Sequence, residues 1–398
     1  MEEITVVQAA ARWGVTVRQV QRLLAGGRIA GAQKRGRDWF IPASVDKPAD
    51  LRQKPASPPP DPTLSRQLAA ILAASYRPLP WDAPDPVLQL PGAGQPRFLT
   101  LAAYHSCDWA QCVRDFRAAQ GNPALQLCAC GAAMPAAINL GDWPALREVE
   151  QHLAGVVASG ASRDVVAVAE LILGSTWASA YAPERVPPWL REGDFSALPE
   201  ASRIDGFGAR ALYFASVKKW DTALALAQTA LAMIPPHQGF LYTDGNLRIM
   251  CALGLSFAGR LDAAERYLQS TLQACLPLGF FAHIVTAVTL FDGDLLETCL
   301  RREVPQHCDA ILKLGAQVSN NWIAYHNRLT QEKVADALSP RDWKIMRSVA
   351  QGLSYQQTAQ KFHLSEGTIK NKMQAIYEQF GIAGKNRRQQ LAALVIIP

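Results

Sequence analysis

The chain has 398 residues, 49% of them hydrophobic, and a formal net charge of +6 at pH 7. This length and apolar content predict a globular protein of two or three domains with well-formed cores. The acidic start Met1-Glu2-Glu3 argues against a signal peptide, and the longest apolar run, Leu276 to Phe291, is interrupted by Pro277 and predicts a buried helix too short to span a membrane.

The positive charge is concentrated at the two ends of the chain. Residues 1–54 contain ten Lys and Arg against five Asp and Glu, and residues 338–398 contain nine against three. The region between them is mildly acidic. Because basic surfaces attract nucleic-acid phosphates, this distribution predicts nucleic acid at both ends and a different role for the middle.

From Ile4 to Arg52 the sequence predicts a compact unit of two helices and a basic hairpin. The helices run from Val6 to Trp13 and from Val17 to Ala25, and each follows a threonine that can cap it. Gly14 is expected to end the first helix. The hairpin runs from Ile29 to Pro42.

This pattern resembles the small winged helix-turn-helix of excisionase and MerR-type proteins, with counterparts at nearly every position between Thr5 and Pro42. The resemblance implies that the second helix faces the major groove and that the hairpin, or wing, follows the adjacent backbone. Such units sometimes serve only as protein contacts, so both interpretations stay open, with DNA favoured. The implied DNA contacts are Arg18, Gln19 and Arg22 of the helix and Lys34, Arg35 and Arg37 of the wing.

Two proline-rich segments, Lys54 to Pro62 and Arg77 to Arg97, predict extended, semi-rigid spacers. A helix from Thr63 to Tyr76 is expected between them. We therefore expect a linker to tether the N-terminal unit to the next domain.

From Phe98 to Arg328 an Ala- and Leu-rich helical pattern predicts a stack of three to six helix pairs. Trp109 and Trp143 each follow an Asp. The clearest unit, residues 207–235, has small and aromatic side chains where a tetratricopeptide-type repeat has its packing residues, and another unit starts at Arg248. The stack therefore resembles an α-solenoid of degenerate tetratricopeptide-like repeats.

Such stacks form curved grooves. We interpret the groove as a surface for a small effector or a protein partner, and the alternative is a passive spacer or a dimerisation arm. Pro183 to Pro199 is expected to be a loop that interrupts the stack. Asn320 to Arg328 is expected to couple the stack to the domain that follows.

Residues 338–381 predict three helices with a tight turn at His363. The second helix runs from Tyr355 to Phe362 and the third from Glu366 to Phe380. Ser365 can cap the third helix, where an oxygen side chain satisfies the first free amides.

In the third helix Ile369, Met373 and Ile376 form an apolar stripe on one face, and the polar residues near the start of the helix lie on other faces. A helix fits the major groove, where Lys can bond to guanine and Asn or Gln to adenine, while hydroxyls and the helix start can donate to phosphate. The alternative is a solvated face on a small bundle, which leaves the coincidence of cap, turn, stripe and base-reading residues unexplained. The residues predicted to contact DNA are Ser365, Thr368, Lys370, Asn371, Lys372 and Gln374.

Polar, small and apolar residues recur at fixed positions in Leu338-Ser339-Pro340-Arg341-Asp342, Gly352-Leu353-Ser354, Ala359, Ser365, Thr368-Ile369-Lys370 and Phe380-Gly381. At these positions the segment resembles the LuxR-type helix-turn-helix. Asp342 stands where that family has Glu, and Lys372 stands where it commonly has His. The resemblance implies a fourth helix, in the region Arg387 to Ile397, that pairs two domains in a homodimer.

Catalytic and metal chemistry find little support in the sequence. Cys128-Ala-Cys130, with Cys107 and Cys112 upstream, lacks the spacing and the His pair of a zinc site, so buried, reduced thiols of a cytoplasmic protein are expected. The lone His283 is interpreted as a packing or surface residue. With no phosphate-binding G-x-x-x-x-G-K-[ST] motif and no convergent nucleophile, base and metal ligands, we expect no enzyme, cofactor or metal.

These features together predict a mainly α, cytoplasmic transcription regulator that binds double-stranded DNA and does not enter membranes. We expect the winged unit at 1–54, the linker at 55–97, the repeat domain at 98–334 and the LuxR-type domain at 335–398. Effector binding would change repeat packing and thereby free or pair the C-terminal domains. The alternative is a non-enzymatic interaction scaffold whose repeats bind a peptide or protein partner.

Overall fold

A computed structural model describes residues 3–36, 38–48, 62–75, 79–80, 91–234, 238–239, 243–288, 290–291, 295–332 and 340–394. This part of the chain is mainly helical, as predicted, and its contacts divide the chain into two units, Met1–Pro60 and Asp61–Pro398. Most of the proline-rich spacers, Arg37 of the wing and Ser339 lie outside the described residues.

The first unit combines two helices with a three-stranded antiparallel sheet. Strand β3 (Asp38–Pro42) is central, with Ile41 opposite Ile4 of β1 (Glu3–Thr5) and Trp39 opposite Lys34 of β2 (Gln33–Arg35). A small core forms from buried Ala9, Ala10, Val20, Leu24, Ile29 and Ile41. The elements are β1 Glu3–Thr5, α1 Val6–Trp13, α2 Val17–Ala25, β2 Gln33–Arg35 and β3 Asp38–Pro42.

Local hydrogen bonds explain why these two helices begin and end at the predicted residues. Thr5 and Thr16 each accept a bond from the backbone amide three residues on, and the glutamine there bonds back to the cap amide. Each reciprocal pair satisfies two otherwise free donors. Gly14 ends α1 at φ 62°, a conformation in which a Cβ would be strained.

In the second unit many helices pack against the helix that follows them along the chain. Examples are α5 (Trp109–Ala118) with α6 (Pro123–Leu140), α6 with α7 (Trp143–Ala158), and α12 (Thr243–Phe257) with α13 (Leu261–Cys275). The two-residue strands β4 and β5 pair antiparallel. The elements are α3 Pro62–Ser75, β4 Leu79–Pro80, α4 Gln95–His105, α5 Trp109–Ala118, α6 Pro123–Leu140, α7 Trp143–Ala158, α8 Arg163–Ser179, α9 Pro188–Glu192, α10 Arg203–Ser216, α11 Trp220–Ala232, β5 Gln238–Gly239, α12 Thr243–Phe257, α13 Leu261–Cys275, α14 Ala282–Ala287, α15 Leu295–Glu303 and α16 Pro305–Thr330.

Small side chains allow these helices to approach closely. Ala211 of α10 and Ala223 and Ala227 of α11 are fully buried where the clearest repeat was predicted. Trp109 and Trp143 each begin a helix directly after a capping aspartate. The helix pairs are therefore present, whereas their tetratricopeptide character stays a prediction.

Helix α3, predicted within the linker, packs against α6 and is part of the second unit. Its Leu68, Ile71 and Leu72 are buried in the same core as residues of α6 to α8. Each fully buried aliphatic side chain of this kind contributes about 2 kcal/mol. The helical domain therefore begins at α3.

Two segments differ from their predicted form. Pro183 to Pro199 was predicted as a loop, but it contains α9 and short 3₁₀ turns and buries Leu190 and Val186. Leu276 to Phe291 was predicted as one helix, but a 3₁₀ turn and Gly279, at φ 69°, precede the short α14. Pro188 fits the first position of α9, where no amide donor is needed, whereas Gly279 in its left-handed conformation ends the helical hydrogen bonding in the second segment.

Helix α6 is long and apolar enough to cross a membrane, and 67% of its apolar window is buried among other helices. The long helix α16 packs back on α6. There the indole Nε1 of Trp322 donates to Asn139 Oδ1 at 2.8 Å, and Asn321 Nδ2 donates to the Asn139 carbonyl at 2.9 Å. The segment predicted to couple the domains is thus the anchored second half of α16.

Four helices form the C-terminal end of the described chain. They enclose a separate core of Ile345, Met346, Val349, Ala359, Ile369, Met373, Ile376, Tyr377, Ile382 and Leu391. The helices are α17 Pro340–Ala350, α18 Tyr355–Phe362, α19 Glu366–Gln379 and α20 Arg387–Leu394.

Candidate nucleic-acid interface

The turn between α18 and α19 is fixed by local capping. Ser354 forms a reciprocal cap with Gln357 at the start of α18. His363 ends α18 at φ 51° and its amide bonds back to α18 carbonyls, so the turn lies at the predicted residue. Ser365 then caps α19, accepting from the Thr368 amide at 3.0 Å. These bonds fix the direction in which α19 leaves the turn.

Helix α19 has one buried and one exposed face. Ile369 and Met373 are fully buried in the domain core. Lys370, Asn371 and Gln374 are exposed on the opposite side. The apolar stripe thus anchors the helix while these polar side chains stay accessible to a ligand.

Several of the predicted residues in and before α19 also make contacts within the domain. The Lys372 ammonium lies 2.6 Å from Asp342 Oδ1 of α17, so this cation is held against its own domain. Gln374 Nε2 donates to Glu378 Oε1 at 2.7 Å. The Ser365 and Thr368 hydroxyls are 2.8 Å apart at the helix start.

In the N-terminal unit some of the side chains predicted to contact DNA are exposed, and others already bond to residues of the same unit. Arg18 and Arg22 are exposed on α2, and Lys34 is exposed on β2. Gln19 is engaged, because its Oε1 accepts the Thr16 amide at 2.9 Å.

The wing arginine Arg35 is engaged as well. It forms a two-pronged ion pair with Glu3, at 3.0 and 2.9 Å, and its guanidinium lies 5.3 Å from the Phe40 ring centroid. A guanidinium paired with a carboxylate attracts phosphate less strongly than an exposed ammonium group does. Of the two cations in the described wing, Lys34 is therefore better placed than Arg35 to bind phosphate.

The C-terminal core also contacts the helical region of the same unit. Tyr181, after α8, and Ile323 of α16 pack against it, and the Arg347 guanidinium lies 5.8 Å from the Phe257 ring centroid. Lys370 and Asn371 remain exposed despite this packing. The helical region therefore does not cover this exposed face of α19.

Helix α20 lies where the pairing helix was predicted. Its Leu391 is fully buried and belongs to the core of its own domain. The Leu394 side chain and Val395 lie outside the described residues. The described part of α20 thus shows an intramolecular role, and pairing stays a prediction.

Sequence reasoning missed a buried polar cluster in the helical region. The His283 ring lies against the His105 ring with centroids 4.1 Å apart and planes tilted by 36°, and its Nδ1 lies 2.7 Å from Asn246 Oδ1. Burial lowers the pKa of His283 to about 3 and raises the pKa of the nearby Asp244 to about 7. Nothing local in the sequence marks these residues as neighbours, because they come from different helices.

The cysteines that were considered as possible metal ligands lie mainly in the core of the helical region. Cys112, Cys128 and Cys130 are buried and Cys107 is half-buried. Burial raises the pKa of Cys128 to about 11, which disfavours a thiolate. Across the described ranges, no group of three or more His, Cys, Asp or Glu side chains is placed to hold a metal ion.

Comparison with known proteins agrees with the geometry of the C-terminal helices. Residues 336–394 match the GerE family, described as bacterial regulatory proteins of the luxR family. No curated protein and no solved structure matches the chain significantly. The C-terminal region is thus a LuxR-type helix-turn-helix domain, which supports a DNA-binding transcriptional regulator.

Proposed function

We propose that the protein regulates transcription by reading DNA with helix α19. The observation that carries this proposal is the exposed face of Lys370, Asn371 and Gln374 on a helix anchored by buried apolar residues. A helix presented in this way enters the major groove, and its first turns meet base edges. Lys370 would bond to guanine and Asn371 to adenine.

The other predicted residues of the domain would add phosphate contacts or further base contacts. Ser365 and Thr368, at the α19 start, would contribute to phosphate binding. Lys372 would contact DNA only by exchanging its Asp342 partner for a phosphate or a base. Gln374, one turn beyond Lys370, would read a neighbouring base pair.

The N-terminal unit would supply a second, weaker DNA contact as an excisionase/MerR-like winged helix-turn-helix. Exposed Arg18 and Arg22 on α2, together with Lys34 on the wing, support this role. Because Gln19, the third groove-facing residue of α2, is held at its cap, we propose that Arg18 and Arg22 contact the phosphates that flank the groove. Phosphate contacts attract any duplex, because they carry no sequence information.

The helical region would receive an effector or a protein partner and pass the signal to the DNA-binding domain. The packing of Tyr181 and Ile323 against the C-terminal core gives a physical route for this coupling. A change in helix packing at this contact would alter how the LuxR-type domain is presented and paired. We propose a non-enzymatic, cytoplasmic homodimer that binds an inverted repeat with its two reading helices about one DNA turn apart.

Selection of genomic DNA by the intact chain tests the proposal. We expect recovered fragments to share an inverted-repeat site, and footprinting should protect two half-sites with centres about 10 base pairs apart. If random duplex displaced every recovered fragment as well as the fragment itself does, specific reading would be ruled out, and the interaction-scaffold alternative would take its place.

A further inference from the structure

A cleft of about 670 Å³ lies beside the proposed reading helix. One wall is the first turn of α18, with Tyr355, and another is the segment before and at the start of α20, with Lys385 and Arg387. Glu366, the first residue of α19, also lines the cleft. The cleft is therefore continuous with the start of the helix that we propose to read DNA.

The cleft is basic. Lys385, Arg387 and Arg388 line it, and Glu366 is the acid among its lining residues. All three cations are exposed to solvent. A ligand in the cleft would therefore meet an excess of positive charge.

Contacts within the domain hold both arginines at the cleft. The Arg387 guanidinium lies 5.4 Å from the ring centroid of Tyr377, which also lines the cleft. Arg388 Nη2 donates to the Leu353 carbonyl at 3.3 Å, bridging to the segment before α18. Guanidinium groups oriented in advance lose less conformational entropy when they bind an anion.

Two tyrosines add neutral hydrogen-bonding groups. The Tyr355 and Tyr377 hydroxyl oxygens are 3.5 Å apart. Burial, reinforced by the nearby Tyr355, raises the pKa of Tyr377 to about 12, so its hydroxyl keeps its proton at neutral pH. The cleft thus combines cations with uncharged hydroxyl donors, a combination that suits phosphate oxygens.

We propose that this cleft binds a phosphate group of the DNA backbone, next to the bases read by α19. The inference rests on the proposed function, because continuity with the start of α19 is what selects DNA over a free phosphorylated molecule. A phosphate held here would fix the register of the domain on the duplex without reading sequence. Glu366 would weaken the attraction, so binding would not become too tight for release.

The full-length variant K385Q/R387Q tests the cleft in DNA-binding titrations over a range of salt concentrations. We expect affinity for the selected site and for random duplex to fall by the same factor, about tenfold, and the salt slope to fall by about two. E366Q should have the opposite effect and raise the affinity for the selected site and for random duplex by about threefold each. K344Q is the control for the lysine substitution in this double variant, because half-buried Lys344 of α17 lies outside the cleft lining.

Hydrogen exchange on the full chain with inorganic phosphate, in the absence of DNA, separates the possible sources of phosphate. Protection of residues 354–356 and 385–388, lost in K385Q/R387Q, would support phosphate binding by the cleft even if the protein bound no DNA. An unchanged salt slope in a variant with the wild-type melting temperature would overturn the DNA-backbone assignment, whether or not free phosphate binds. Loss of sequence preference in K385Q/R387Q would also overturn it, since a backbone contact cannot distinguish bases.

Discussion

The units at the two ends of the chain have similar local capping but differ in which polar side chains stay exposed. Each sets its second helix with a capping Ser or Thr after a turn. In the N-terminal unit, Gln19 bonds to its own cap and Arg35 is paired with Glu3, whereas the exposed side chains are the cations Arg18, Arg22 and Lys34. In the C-terminal unit, Lys370 and Asn371 stay exposed on α19.

This difference shows that the pattern of a helix-turn-helix does not determine how many side chains remain available to read bases. Side chains committed to caps and ion pairs stabilise the unit, and they must break those contacts before they can meet DNA. We therefore expect sequence preference to come from the C-terminal unit and general affinity to come partly from the N-terminal one.

The largest expected effect comes from removing the proposed readers. K370A/N371A should reduce the discrimination between the selected site and random duplex by about 100-fold, because each well-formed base contact contributes about 1–3 kcal/mol. Competition binding with both DNAs measures this ratio. R18A/R22A in the N-terminal unit is the matched double variant and should lower the affinity for the selected site and for random duplex by the same factor. If R18A/R22A abolished the preference and K370A/N371A did not, the roles of the two units would be reversed.

The next effect concerns stability. Q19A removes one half of the cap at α2 and should destabilise the N-terminal unit by about 1 kcal/mol. N371A, at an exposed position of α19, should change stability by less than about 0.5 kcal/mol. Hydrogen exchange of the α2 and α19 amides in the full chain measures both. Unchanged exchange in Q19A, together with altered DNA preference, would instead make Gln19 a reader.

The helix boundaries of both units could be predicted because they depend on nearby residues. Thr5, Thr16 and Ser365 cap amides three residues away, and Gly14 and His363 end helices through their own backbone conformation. Such signals are visible in a short window of sequence. The location of the LuxR-type domain was predictable for the same reason.

Contacts between distant residues were not predictable in this way. The Lys372–Asp342 pair joins α19 to α17, and the His283–Asn246 contact joins α14 to α12. The packing of α3 in the core of the second unit also depends on partners far along the chain. Periodicity marks these side chains as polar or apolar, but only the packing of helices determines their partners.

A smaller effect is expected from Lys372, which differs from its neighbour Lys370 by its ion pair. K372Q and D342N should each destabilise the C-terminal domain by up to about 1 kcal/mol, because the pair is only partly buried. The double variant K372Q/D342N should lose less than the sum of the two, and this coupling is measured by thermal melting of all four proteins. Additive losses, with relaxed base preference in K372Q alone, would show that Lys372 acts on DNA and not on Asp342.

The smallest effect separates two adjacent wing cations. K34Q should lower the salt slope of DNA binding by about one, the amount for one phosphate contact. R35Q should lower it by less, because Glu3 already offsets the charge of Arg35. E3Q then provides the decisive control, since it leaves Arg35 unpaired and should raise the slope above that of wild type. Equal slopes in all three variants would mean that the wing does not lie along the DNA backbone, and the N-terminal unit would then be a protein contact whose cations only keep it folded and soluble.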